Sequence, residues 1–227
     1  MYDMSRVTFL LLLFLPFARA TAQELPSPTR FESAIVSFEG ADTEDPVEPG
    51  VILFVGSSSV VKWETLAEDL PGHRVLNRGF GGSNFNDLIH YADRVIYPYR
   101  PKAVFIYEGD NDISMGSSAK QVAKDAKKLR SMIARELGKE VPVVFISPKP
   151  SVARWAQREI YEDANARLAA FAAKKDHTYF VDVWTPALRS DGTVRPDIFV
   201  EDNLHMNAAG YDIWEATIGP VVARLDQ

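Results

Sequence analysis

The sequence predicts an α/β fold, a parallel β-sheet with helices on both faces. Three observations predict it. Five short apolar runs alternate with five stretches of helical periodicity between Val51 and Leu225. Most connections between them are short, as in a chain of parallel β–α–β crossovers. No internal repeat, low-complexity tract or linker divides the 227 residues, so one sizeable domain is expected over 51–227, behind an N-terminal extension at 23–50.

The elements follow in order. Residues 23–29 form a proline-containing lead-in. Residues 31–38 read as a short amphipathic helix with Phe31, Ala34, Ile35 and Phe38 on one face. Ala41–Gly50 is acidic, contains Pro46 and Pro49, and reads as a loop. Val51–Val55 is apolar throughout and stops at Gly56, as a buried strand does. Helix is expected over 60–69, and a short strand over 73–77. The next helix, 83–96, carries Leu88, Tyr91, Ala92 and Val95 on one face. Strand 103–107 precedes a long amphipathic helix over 118–137, started by Ser117 or Ser118, since serine is favoured at helix N-caps. Strand 141–146, helix 154–174, strand 179–183 and helix 208–225 complete the series. Trp184–Asn207 is the longest irregular stretch, and long loops in compact domains are often functional.

Residues 1–22 resemble a secretory signal: Arg6, then an apolar core over 7–17, then the small-x-small segment Ala20-Thr21-Ala22. The apolar run is short for a membrane span and Pro16 interrupts it, so export with cleavage near Ala22-Gln23, and no stable membrane anchor, is expected. Cysteine is absent, which excludes disulfides, thiolate metal sites and a cysteine nucleophile. Without residues 1–22 the chain keeps 23 basic and 30 acidic side chains. Its one basic run, Lys124–Arg130, reads as a solvated helix face, and nucleic acid is not an expected partner.

The chemistry is expected at the strand ends. In a parallel sheet the segments after each strand share one rim, where α/β folds bind ligands. After the first expected strand come Ser57, Ser58 and Ser59, entering a helix: either a helix cap or a raised nucleophile beside free N–H groups. After the second comes Asn77-Arg78-Gly79-Phe80-Gly81-Gly82, where Gly82 would let a backbone N–H approach a substrate oxygen. After the third comes Glu108-Gly109-Asp110-Asn111-Asp112, where Asn111 offers a neutral amide donor. In the long loop, Asp202 precedes His205 by three residues. At that spacing the carboxylate can bond one imidazole nitrogen and leave the other to act as a base. Of the four histidines only His205 sits in such a turn, which leaves too few ligands for a binuclear metal centre.

Gly-x-Ser, Gly, Gly-x-Asn-Asp and Asp-x-x-His, in this order at successive strand ends, resemble the SGNH hydrolase superfamily, also called GDSL esterases and lipases. The resemblance spans essentially the whole chain after Val51. It implies a three-layer α/β/α fold with a five-stranded parallel sheet, and no metal or organic cofactor. The register through Gly56 implies Ser58 as nucleophile, although Ser57 and Ser59 replace the Asp and Leu of the family's name-giving motif. It further implies His205 as base, Asp202 as its carboxylate, and the Ser58 N–H, Gly82 N–H and Asn111 amide as oxyanion donors. Related proteins hydrolyse short acyl esters, acetylated sugars, lysophospholipids and thioesters, so a small-molecule or carbohydrate ester is the expected partner. A non-catalytic carbohydrate-binding protein on the same fold is the rival expectation. Trp63, Arg78, Phe80, Asp110, Arg154 and Trp155 are expected near the rim, where they would line a substrate pocket.

Overall fold

The computed structural model describes residues 25–227, so the expected signal segment and its cleavage site lie outside the described residues. Five strands pair in one all-parallel sheet: β1 (Ile52–Gly56), β2 (Val75–Gly79), β3 (Ala103–Tyr107), β4 (Val143–Ile146) and β5 (Thr178–Val181). Their order is β2-β1-β3-β4-β5. The helices are α1 (Glu32–Glu44), α2 (Ser58–Val61), α3 (Leu66–Asp69), α4 (Phe85–His90), α5 (Ala92–Val95), α6 (Asp110–Ser114), α7 (Ala119–Glu136), α8 (Arg158–Ala172) and α9 (Ala208–Leu225). The strand order reverses at β1, so a crevice opens outside the carboxyl ends of β1 and β3.

Successive strand residues face opposite layers, and each face needs its own core. Leu53, Val55, Val104 and Ile106 pack with residues of α4, α5, α7 and α8, while Ile52, Phe54, Phe105 and Tyr107 pack with Trp63, Leu66 and α9. Both cores are aromatic-rich, with Phe54 and Phe105 stacked 4.7 Å apart. Burying each such side chain contributes about 1.5–3 kcal/mol, which makes the sheet a rigid base for the rim. Among the described residues no helix is long and apolar enough to cross a membrane.

Several boundaries differ from expectation for identifiable reasons. β2 starts at Val75, two residues late, because Val75 pairs with Ile52 and Gly79 with Gly56. Its polar Asn77 is tolerated at the sheet edge because the amide donates to the Val60 carbonyl at 2.6 Å. The expected helix 60–69 is broken between α2 and α3, and the helix 83–96 divides at Tyr91. The helix expected from 154 begins as a 3₁₀ turn, Trp155–Gln157, before α8.

Helix α1 runs to Glu44, through the start of the expected acidic loop. Its acids have partners elsewhere in the chain. Arg94 binds Glu32 at 2.8 Å and Glu39 at 2.6 Å, and Asp42 takes Arg78 and the Tyr99 hydroxyl. Just before it, the Phe31 ring meets Phe80 edge-on at 5.1 Å, and Arg30 pairs with buried Asp87 at 2.5 Å.

Candidate active site

The turn after β1 depends on Gly56, whose φ is +135°. A side-chain carbon there would fall 2.1 Å from the Tyr107 carbonyl oxygen, so only glycine lets the two strands pass. Helix α2 begins two residues later with Ser58 in its first position. Ser57 and Ser59 are buried, whereas Ser58 is half-buried at the rim. Of the three hydroxyls, only that of Ser58 has the base within reach.

His205 arrives from the far end of the chain. His205 Nε2 lies 3.0 Å from Ser58 Oγ, and Nδ1 lies 2.5 Å from Asp202 Oδ2. An ionised carboxylate has no donor, so Nδ1 carries the hydrogen and Nε2 accepts from the serine hydroxyl. The second Asp202 oxygen accepts from the backbone N–H groups of Leu204 (2.9 Å) and His205 (2.8 Å). The bond from His205, followed by these backbone bonds, holds the Asp202 carboxyl well below the usual carboxylate range. Asn203 supports the tight turn with a left-handed φ of 58°.

Three donors on these rim segments are unspent. Among the described residues, neither the Ser58 nor the Gly82 N–H has an acceptor. The Gly81–Gly82 turn abuts Ser58, since a side-chain carbon built on Gly81 would sit 3.8 Å from Ser58 Cβ. Asn111, in α6, donates one amide hydrogen to the Ser83 carbonyl at 2.8 Å and keeps the other. Such an array can stabilise a developing oxyanion. Asp112 ties it together by accepting from Phe85 N–H (3.1 Å) and Gly109 N–H (2.9 Å), joining the starts of α4 and α6. Among the described residues no group of three His, Asp or Glu side chains converges to hold a metal ion.

The residues expected to line a pocket divide. Trp63 is 1% exposed and stacks in the core, its indole N–H satisfied by Asp69 at 2.6 Å. Phe80 is 2% exposed between Phe31 and Tyr91. Arg78 spends its guanidinium on Asp42 and on the Tyr99 hydroxyl at 2.7 Å. Asp110 is buried under four partners. In this structure these four pack and clamp rather than stand open at the rim. Arg154 is partly exposed but bonded to Asp110 and Asn111. Trp155 remains half-exposed, stacked on Trp184 at 6.0 Å.

Sequence reasoning missed Lys149, Tyr161, Ser83 and Glu108. Lys149 and Tyr161 hold Asp110, and Ser83 donates to buried Glu108 at 2.6 Å. Burial, then the neighbouring Asp112, pushes the Glu108 carboxyl well above its ordinary value. For Lys149 the available signal was the polar segment Ser147-Pro148-Lys149-Pro150-Ser151 after β4, the one strand end left unread.

No curated protein matches this sequence. Solved structures share its fold. A protein assigned provisionally as an acylhydrolase from Bacteroides fragilis superposes with a TM-score of 0.70 at 20% identity, over 86% of this chain and 98% of that one. A GDSL-like lipase from Bacteroides thetaiotaomicron gives 0.69 at 18% identity, over 87% and 97%. A variant of an acetyl xylan esterase from Geobacillus stearothermophilus gives 0.61 at 16%, over 78% and 96%. The sequence model of the GDSL-like Lipase/Acylhydrolase family matches residues 49–213. The chain thus belongs to the GDSL-like lipase/acylhydrolase family, within the SGNH hydrolase superfamily, and is a carboxylic ester hydrolase.

Proposed function

We propose that this protein is a serine esterase that removes short acyl groups, with O-acetyl groups on carbohydrates as its substrate class. The observation that carries the reading is the 3.0 Å contact between Ser58 Oγ and His205 Nε2, backed by Asp202 at 2.5 Å. Ser58 Oγ attacks the ester carbonyl while His205 takes its proton. The oxyanion gathers hydrogen bonds from Ser58 N–H, Gly82 N–H and the Asn111 amide. Collapse expels the alcohol, protonated by His205, and leaves an acyl-serine. Water, activated by the same imidazole, releases the carboxylic acid.

Two features support a small acyl group on a sugar. Trp63 and Phe80 are packed inside, so they build no slot for a long chain. The half-exposed Trp155 stands on a segment bonded to the base loop, where Ala153 N–H donates to the Asn203 carbonyl at 3.1 Å. An aromatic face there suits a pyranose ring. The acetyl xylan esterase among the structural neighbours is in keeping with this class. Export after cleavage near Ala22 is part of the proposal, checked by N-terminal sequencing of protein recovered outside the cytoplasm.

A panel of acetyl to dodecanoyl esters together with acetylated xylan tests the reading, with Ser58→Ala as the blank. Acetate release from xylan and kcat/KM falling with chain length are expected. A preference for dodecanoyl esters, or equal rates in Ser58→Ala, would overturn it.

A further inference from the structure

Beneath the site two cations share one carboxylate, and the serine–histidine chemistry uses none of the three directly. Asp110 accepts from Arg154 Nη1 at 2.5 Å, Tyr161 OH at 2.5 Å and Tyr107 OH at 3.0 Å, with Lys149 Nζ at 3.8 Å. Burial pushes the Asp110 carboxyl up, but Lys149 and Arg154 outweigh it and hold it below its ordinary value. Each cation then reaches away from Asp110 to a different half of the site. Arg154 Nη2 donates to Asn111 Oδ1 at 3.0 Å. Lys149, 2% exposed, donates to the Leu204 carbonyl at 2.6 Å, between Asp202 and His205.

We propose that Asp110, with Arg154 and Lys149, is a buried bridge that positions the oxyanion amide and the base loop relative to each other. The proposal rests on the esterase reading above.

The key step is the orientation of the Asn111 amide. Its oxygen and nitrogen can exchange places by a simple flip, and only one orientation leaves an N–H for an oxyanion. Arg154 carries no acceptor, so it can face only the amide oxygen. The Ser83 carbonyl carries no donor, so it can face only the nitrogen. A flip would break both bonds in a buried place. The guanidinium also polarises the amide, which makes the remaining N–H a better donor. Lys149 does the corresponding work on the other side. It sits between Pro148 and Pro150, whose fixed φ stiffens its segment, and pins the carbonyl of the residue before His205. Arg154 is therefore a positioning residue acting through Asn111, not a substrate ligand.

A double-mutant cycle tests this with a short acetyl ester. Arg154→Met should lower kcat by about 10- to 100-fold with KM nearly unchanged, short of the about 10²–10³-fold expected for losing the donor itself. Added to Asn111→Ala, it should cost less than about 3-fold, because its route of action is gone. Pairing Arg154→Met with Asp110→Asn removes the stranded carboxylate and keeps the cycle readable if the single variant folds poorly. The Asn111 side-chain ¹⁵N resonance, assigned by its loss in Asn111→Asp, reads orientation without turnover and should shift or double in Arg154→Met. Full additivity with Asn111→Ala, a change in KM alone, or an unmoved Asn111 resonance would overturn the bridge. Failure of the esterase reading looks different: the wild type turns over no ester and Ser58 resists a fluorophosphonate, while the resonance still reports on Arg154.

Discussion

Asp202→Asn isolates the carboxylate charge from its structural duties. The oxygen Oδ1 caps the N–H groups of Leu204 and His205, and an asparagine oxygen can keep both bonds. The amide nitrogen then faces His205 Nδ1 and presents a donor to a donor. The imidazole must move its hydrogen to Nε2, which points at Ser58, and its capacity to accept the serine proton is lost. Charge adds to this. Two unit charges about 4 Å apart interact by about 1 kcal/mol in bulk water and about 4 kcal/mol at an effective dielectric of about 20. The Asp202 side chain is 47% exposed, which places it between these limits. Loss of imidazolium stabilisation alone is then about 5-fold to about 10³-fold in rate. With the tautomer effect, kcat should fall about 10²–10³-fold, less than the about 10⁴-fold of a fully buried orienting aspartate. Stopped-flow or plate kinetics with an acetyl chromogen, with thermal melts to show intact folding, make the measurement. Asp202→Ala should lose comparable activity and more stability, because both caps go. A loss smaller than about 5-fold in Asp202→Asn would refute the assigned role.

Three further outcomes follow from the same geometry. Ser57→Ala and Ser59→Ala should stay active while Ser58→Ala is dead, measured on one acetyl ester; inactivity of Ser57→Ala with Ser58→Ala active would move the nucleophile. Asn111→Ala should lower kcat by about 10²–10³-fold with little change in KM, and a change confined to KM would remove it from the oxyanion site. Burial pushes the Asp112 carboxyl from 3.8 up to about 7, so the folded chain holds this proton where the unfolded chain has lost it. Its contribution is fully present below about pH 4 and is lost as pH rises to about 7, and denaturant midpoints should decline across that window. Asp112→Asn should shallow the decline, and an unchanged slope would count against the buried acid.

The alternation of elements was legible from local pattern, and one topological rule brings the serine turn and the Asp202–His205 loop to one rim; the choice of Ser58 among the three serines comes from the family resemblance. Buried strands announce themselves by continuous apolar runs, and a parallel sheet brings their carboxyl ends to one rim. What failed to show was decided at long range. The extent of α1 depends on Arg78, Arg94 and Tyr99, none of which is near it in sequence. Arg78, Phe80 and Trp63 look like pocket residues from their neighbours, but partners 6 to 49 positions away decide their burial. No helix is expected from the sequence over Asp110–Ser114, because aspartate and asparagine favour turns. The contact of Asp112 with the start of α4 accompanies a short helix there, α6.

Helix α1 lies outside the matched family segment and is held by both packing and charge: Ile35 is buried, Ala34 and Phe38 pack against the same core, and its acids bind Arg94, Arg78 and Tyr99. Ion pairs of this exposed kind contribute about 0–1 kcal/mol each and weaken as salt screens them. Salt should therefore loosen the charged contacts of the helix while its Ile35 face stays packed. Raising ionic strength should speed amide exchange over residues 32–44 well before the sheet responds. Phe31, just before the helix, covers Phe80, so loosening there would be felt first on the flank of the Gly81–Gly82 turn.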